Sequence, residues 1–455
     1  MGMTNELENK AKRINALLTR AGGQCLKVGG CVRDKFLGKG NKDIDIEVFG
    51  LSYNQIVAIL KAEQLRCDVV GEAFGVIKVD NDIDVSIPRR ENKAGVGHKG
   101  FNVMPDPNMT KEDAAARRDF TINSMAETFG GELVDPFDGQ ADIEAKVLRA
   151  TSGAFVEDPL RVLRGMQFAA RFGFTMDAKT VDMCRVLRHE FDTLAKERIW
   201  GEWEKWATKA TDAKAGLDLL ADTGWLEMFP ELEAINKAEQ DPEWHPEGNT
   251  WEHTTFVCNA MIDICDRDNV TGANRLVAMF AALCHDLGKA TTTVFKDGHW
   301  KAPGHDQAGV TITEAFLTSI SAPHWLIEKV KPLVAQHMRH CGIKDEQLNA
   351  RIVRRLANDL APATMEEWSR IVEADHSGRP PLAKGNPVEA WMKLAAELKL
   401  EDAAPKPLLM GRHLIDAGMK PGPHFGPVLK AAFEDQLDGV FNDEAGAVEW
   451  MRNNL

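Results

Sequence analysis

Lys27-Val28-Gly29-Gly30-Cys31-Val32-Arg33, followed by Asp43-Ile44-Asp45-Ile46-Glu47, decide how the first part of this 455-residue chain folds. A β-rich run enters Gly29–Gly30 and a helix starts directly after it. Backbone N–H groups at that start are turned toward any phosphate placed there. Arg33 lies one turn further on and adds positive charge at the same place. Residues two apart in a strand share a face, so Asp43 and Asp45 project together while Ile44 and Ile46 enter the core. Neighbouring carboxylates repel unless a cation sits between them, and Mg²⁺ takes one or two carboxylates together with substrate phosphates. Asp84, in Asp82-Ile83-Asp84-Val85-Ser86, is a candidate third carboxylate. Taken singly, the Gly-Gly turn reads as a tight strand-to-helix connection and the aspartates as a solvated strand edge. Found together, they favour a metal–nucleotide site in which two metals activate a ribose hydroxyl and steady the leaving pyrophosphate.

Outward from this point, further short β runs cover 67–71, 74–80 and 82–88, with a helical stretch over 52–65. From about residue 141 helical periodicity takes over almost everywhere. The fold class is therefore α+β, a mixed-sheet head followed by helical domains. The polar, Pro- and Gly-bearing stretch 230–250 reads as a connection into a second unit, and 377–390 as another break. A hydrophobic content of 44% supports a sizeable core. No run of about 18 apolar residues and no signal-peptide core occurs, so a cytoplasmic protein without a membrane span is expected. Eight cysteines form no CxxC pair and read as reduced, mostly buried thiols. A net charge of −14 excludes a protein that coats nucleic acid indiscriminately. RNA must meet local basic surfaces: Arg89–Arg90 with Lys93, Arg117–Arg118, or the series Arg161, Arg164, Arg171.

Four ordered motifs extend the first reading: GGCVRD…DIDIEV, ARRDFTINSMA, LVDPFDGQADIEAKVLRA and FVEDPLRVLRGMQFAARFGF. Together they closely resemble the head and neck of the class II tRNA nucleotidyltransferase and bacterial poly(A) polymerase family. The resemblance implies a polymerase-β-like head over 1–140 and a helical neck over 141–228. It implies that Gly29, Gly30 and Arg33 hold a triphosphate, that Asp43 and Asp45 carry Mg²⁺ with Asp84 beside them, and that Arg117, Arg118 and Asp119 lie along the triphosphate and sugar. In Glu157-Asp158-Pro159-Leu160-Arg161, proline suits the first turn of a helix, so Asp158 can cap it and Arg161 falls one turn later. A carboxylate acceptor beside a guanidinium donor can offer a base the hydrogen bonding that another base would offer. In the family the equivalent pair reads the incoming cytosine or adenine, and Asp158 and Arg161 inherit that role, with Arg164 on the phosphates. The local alternative is an N-cap with an ion pair one turn on.

The second half carries His253, then Leu283-Cys284-His285-Asp286-Leu287-Gly288-Lys289, His305, His337 and Asp375. Imidazoles with carboxylates suit divalent transition metals. The order H…HD…D resembles the HD phosphohydrolase superfamily. That resemblance implies a helical domain over 229–380 with His253, His285, Asp286 and Asp375 as ligands of an ion such as Ni²⁺, Mn²⁺ or Co²⁺. It makes His305 and His337 candidates for a second ion, and Lys289 a group that steadies phosphate. Family members that add CCA and carry this domain show phosphatase and 2′,3′-cyclic phosphodiesterase activities. Residues 381–455, with Lys420-Pro421-Gly422-Pro423 before a helical segment, resemble the C-terminal RNA-binding region of those enzymes.

The expected function is template-independent addition of C, C and A to tRNA 3′ ends from CTP and ATP, with a homodimer left open. Alternatives are a poly(A) polymerase, an HD nucleotide phosphohydrolase with a regulatory nucleotide-binding head, and a noncatalytic RNA-binding protein.

Overall fold

The computed structural model describes residues 2–40, 43–71, 75–80, 82–93, 101–382 and 384–455. The chain divides into two compact units, Met1–Met228 and Phe229–Leu455. Of the basic surfaces named above, the side chain of Lys93 lies outside the described residues.

The first unit is built on a seven-stranded sheet. Its strands are β1 (Gln24–Val28), β2 (Ile44–Phe49), β3 (Cys67–Gly71), β4 (Val76–Val79) and β5 (Ile83–Ser86). A separate hairpin pairs β6 (Arg89–Lys93) with β7 (Phe101–Pro105), and β8 (Ala126–Thr128) and β9 (Leu133–Val134) complete the sheet. The order is β3-β4-β5-β2-β1-β8-β9, with β2 and β5 parallel and the other neighbours antiparallel.

Period-two alternation explains the central strands. Ile44, Ile46 and Val48 on β2, and Ile83 and Val85 on β5, are buried in one cluster with Ile14 and Leu18 of the helix Gly2–Arg20 and Ile56 and Leu60 of the helix Tyr53–Ala62. Each such side chain contributes roughly 1.5–3 kcal/mol by leaving water. A one-residue slip would exchange the faces, so this burial also sets where Asp45, Glu47 and Asp84 emerge.

Beyond the sheet, the helix Leu160–Phe172 packs against Lys196–Lys209 and Ala213–Asp222. The contact is sealed by Trp203 and Trp206, both fully buried and edge-to-face at 5.4 Å. The Trp206 indole N–H reaches the carbonyl of Ala213 at 3.3 Å.

The second unit is helical, with one departure from the expected uniformity. Val294–Lys296 and His299–Lys301 form an antiparallel hairpin. Asp297 and Gly298 at its turn both have positive φ, 56° and 82°, the backbone a two-residue Asp-Gly hairpin turn requires. The stretch read as a connection is also more than that. Pro230–Asn236 is a helix, and the loop behind it sends Gln240 and Asp241 into buried positions. The C-terminal helices Gly411–Asp416, Phe425–Asp438 and Glu444–Asn454 enclose their own small core around Leu414, Phe441 and Met451. Six of the eight cysteines are buried and all are free thiols. No helix among the described residues is long and apolar enough to cross a membrane.

Trp206→Ala should destabilise the first unit by about 3–5 kcal/mol, the usual cost of emptying a large aromatic site. Urea unfolding followed by fluorescence, with the second unit's transition unchanged, is the measurement that checks this.

Candidate functional site

The carboxylates of the head stand on neighbouring strands. Asp45 on β2 lies opposite Asp84 on β5 in the parallel register. Burial, then the charge of Asp84, raises the pKa of Asp45, and Asp43 adds to the rise. Asp43 itself is exposed, one residue before β2 begins. One carboxylate oxygen of Asp84 is buried with no hydrogen-bond partner. Lys78 approaches that oxygen at 3.5 Å, and three like charges gathered around the half-buried Asp45 fit a divalent cation bound by oxygen ligands.

Next to it, Gly29 caps the helix Gly30–Phe36 with φ 69° and ψ −130°. That backbone conformation is one that glycine alone adopts readily, and it brings the bend within 3.0 Å, measured from an added Cβ, of an Arg118 guanidinium nitrogen. Arg118 in turn pairs with Glu47 at 3.4 Å.

These groups line one cavity of about 1020 Å³ in the first unit, together with Gly30, Arg33, Arg117, Asp119, Asp158, Arg161 and Arg164. Of the metal and nucleotide residues named from sequence in the head and neck, Asp43 is the one outside this lining, and Arg90 of the basic surfaces is outside it as well. Ten lysine and arginine side chains face five carboxylates there, in a chain whose overall balance is strongly acidic. Such local reversal of sign marks a polyanion site.

Polar contacts hold the walls in place. Arg33, nearly buried, donates to Asn123 Oδ1 at 2.5 Å and lies over the Phe172 ring at 4.9 Å. Asn123 donates to Asp119 at 2.9 Å, and Asp119 receives Arg164 through two nitrogens at 2.7 and 2.6 Å. Burial alone would raise the Asp119 pKa, but the Arg164 charge and the hydrogen bonds hold it at about 2. Arg164, expected on phosphates, is thus engaged by an anion of the protein.

Asp158 caps its helix as expected, accepting from the Leu160 N–H at 3.0 Å, and its other oxygen pairs with Arg198 at 2.9 Å. Arg161 donates to the carbonyls of Ala154 and Arg117 at 2.8 and 2.7 Å. This braces its guanidinium at the cavity wall. Arg198, Lys205 and Lys209 of the neck also line the cavity and were not singled out from sequence. Their seven- and eleven-residue spacing on one helix face was the available signal.

In the second unit the structure brings all six named metal-type residues together. His253 Nε2 lies 3.1 Å from Asp375 and 3.7 Å from Asp286, and His285 Nε2 lies 3.1 Å from Asp286. His305 Nε2 is 3.3 Å from the other Asp286 oxygen and 3.2 Å from His337 Nε2. Three histidines close or open helices and bond their own i−3 carbonyl through Nδ1: His285 to Ala282, His305 to Ala302 and His337 to Val334, at 2.7–2.8 Å. A carbonyl only accepts, so each Nδ1 carries the proton and each Nε2 turns a lone pair inward.

The facing Nε2 pair of His305 and His337, and the His285 Nε2 beside Asp286, fit a bound cation. Burial, then His285 and His305, push His337 down to about 4, which keeps it neutral as a ligand. Asp286 stays well below the usual carboxylate range: His285 and Lys289 outweigh its burial. Gly288 is obligatory, since a Cβ there would lie 1.9 Å from the His305 carbonyl oxygen.

Sequence reading missed the support around this cluster. The buried Glu247 carboxylate accepts from His253 Nδ1 at 2.7 Å and from His245 at 2.9 Å. Gln240 accepts from Lys289 Nζ at 2.6 Å, and Lys289 also meets Asp286 at 2.8 Å. A carboxylate behind a metal-type histidine fixes its ring and raises its basicity.

Known proteins match these parts in order. The poly A polymerase head domain matches residues 25–149, the probable RNA and SrmB-binding site of polymerase A matches 173–236, and the HD domain matches 250–362. The head and HD matches imply use of divalent metals, as the clusters do. Among solved structures, the Bacillus stearothermophilus CCA-adding enzyme in complex with CTP aligns with a TM-score of 0.64 at 19% identity, covering 98% of this chain and 97% of that one. The Thermotoga maritima CCA-adding enzyme complexed with tRNA aligns at 0.60 and 19% over 98% and 94%. At that identity the likeness concerns the fold. The multifunctional CCA protein of Laribacter hongkongensis is 34% identical over 83% of this chain and 89% of its own length. That of Halorhodospira halophila is 36% identical over 92% and 98%. With identity of that order held across nearly the full length of both sequences, this chain belongs to the multifunctional CCA protein family.

Proposed function

We propose that this chain is a CCA-adding tRNA nucleotidyltransferase of the cytoplasm, extending tRNA 3′ ends with C, C and A from CTP and ATP. The observation that carries this reading is the meeting of Asp45 and Asp84 with the Gly29 bend in one cation-walled cavity. A divalent ion, Mg²⁺ by the oxygen-only ligand set, would be held by Asp45 and Asp84 with Asp43 and would supply Lewis-acid stabilisation of the phosphoryl oxygens.

The chain's own groups do the remaining work. The Gly29–Gly30 backbone and Arg33 receive the triphosphate, with Arg117 and Arg118 alongside. Asp119 fixes the guanidinium of Arg164 and, through Asn123, that of Arg33, so the phosphate donors are preorganised. Asp158 and Arg161 present an acceptor and a donor to the base edge, and their bonds to Arg198 and to backbone carbonyls keep the spacing constant.

The second unit is a metal-dependent phosphohydrolase, the multifunctional part of the reading. His253, His285, Asp286 and Asp375 would hold one transition-metal ion, and His305 and His337 would serve a second. Bound metal would supply an activated water for attack on a phosphomonoester or a 2′,3′-cyclic phosphodiester. Lys289, held between Gln240 and Asp286, is placed to meet a phosphate oxygen. The domain limits 1–140, 141–228, 229–380 and 381–455 accompany this reading.

Purified protein given tRNAs ending before, within and after CCA, with one labelled nucleoside triphosphate at a time, should stop at CCA. Long adenosine tails would instead indicate a poly(A) polymerase. Asp45→Asn should lower addition on the order of a hundredfold or more with circular dichroism unchanged, and wild-type turnover would defeat the carboxylate assignment. Arg161→Ala should loosen discrimination among the four nucleoside triphosphates more than it lowers total incorporation. His285→Ala should abolish hydrolysis of 2′,3′-cyclic AMP while addition continues, and joint loss in a folded variant would count against two separate centres.

A further inference from the structure

The hairpin Val294–Lys301 displays apolar surface that the helical unit does not use for packing. Phe295 is 62% exposed and stands edge-on to the half-buried Trp300 with ring centroids 5.0 Å apart. The exposed Lys296 and Lys301 adjoin the two rings in sequence and project from the ribbon's other face, with Lys301 3.5 Å from Asp297.

This ribbon is fastened to the histidine–aspartate cluster at both ends. Asp241 accepts from His299 at 2.8 Å and from the Trp300 backbone. Its neighbour Gln240 holds Lys289, which holds Asp286. On the exit side, the Ala302 carbonyl fixes His305 at 2.8 Å. The loop that supplies Gln240 and Asp241 also displays Trp244, 61% exposed, before burying Glu247 against His253.

Exposed aromatic faces interleaved with lysines are the composition of single-stranded nucleic-acid platforms, in which bases stack and cations follow the backbone. A protein-docking core would instead be depleted of lysine. We propose that the hairpin 294–301, together with Trp244, is a nucleobase platform for the second unit's hydrolytic centre. It stacks the unpaired bases of an RNA end whose terminal phosphoester enters the cluster, with Lys296 and Lys301 reaching round the ribbon edge to phosphates that pass its other face. The proposal rests on the hydrolase reading above and adds that the substrate is an RNA end rather than a small phosphoester.

The full-length protein and its Phe295→Ala/Trp300→Ala and Trp244→Ala variants, loaded with metal, are compared on two substrates. One is a short RNA oligonucleotide ending in a 2′,3′-cyclic phosphate, and the other is bis-p-nitrophenyl phosphate, which has no base. KM for the RNA end should rise roughly tenfold or more in the double variant, with kcat and turnover of the base-free substrate retained. Unchanged KM for the RNA end would overturn the platform. So would unchanged KM accompanied by an altered association state in light scattering, which would make this face a protein contact. Should the wild-type protein hydrolyse neither substrate, the hydrolase reading fails by itself. The platform is then judged by photocrosslinking of a 4-thiouridine-bearing oligonucleotide, which should map to 294–301 or Trp244; crosslinks confined to other segments overturn it.

Discussion

Two aspartates held side by side on adjacent parallel strands constrain everything around them. Asp45 and Asp84 cannot separate without breaking the register that buries Ile44, Ile46, Ile83 and Val85. Their mutual repulsion is therefore fixed in the fold and must be met by positive charge from elsewhere. The head meets it with arginines whose own positions are secured by Glu47, Asp119 and Asp158. The result is a rigid alternation of sign along the cavity wall, suited to a triphosphate that arrives with its cation.

The second unit solves a similar problem with different chemistry. Four imidazoles join Asp286 and Asp375 there, a donor set of the kind that divalent transition metals take. Backbone carbonyls choose the tautomer for three of the rings, whereas a carboxylate does so for His253. Those three rings are thus oriented by helix ends, and the buried charge of the cluster is shared among Asp286, Asp375, Glu247 and Lys289. One chain carries two phosphate chemistries whose metals need not compete.

Much of this was legible in the residues. The Asp/Ile alternation at 43–47 specifies the strand face that carries Asp45, because a period of two admits few other arrangements, whereas its expected partner Asp43 stays exposed ahead of the strand and Asp84 stands beside Asp45 instead. His285–Asp286 and its distant partners were equally plain. Less plain were groups whose importance arises only when helices meet. Arg198, Lys205 and Lys209 matter only because the neck helix turns them to the cavity. Arg164 read as a free phosphate ligand, and only the fold shows that Asp119 claims it. The hairpin at 294–301 went unread although Asp297-Gly298 is a strong turn signal, since its strands are three residues each and lie inside helical surroundings.

The stretch 237–249 has a significance beyond its local contacts. Its prolines and polar residues look like a seam at which one module could be unfastened from another. Gln240 and Glu247 inside it nonetheless brace Lys289 and His253, so a graft or truncation made there would leave the transplanted helices without their supporting carboxylate and amide. The boundary between the two compact units lies earlier, at Met228–Phe229, and a recombination between relatives made there would keep Gln240 and Glu247 with the residues they brace.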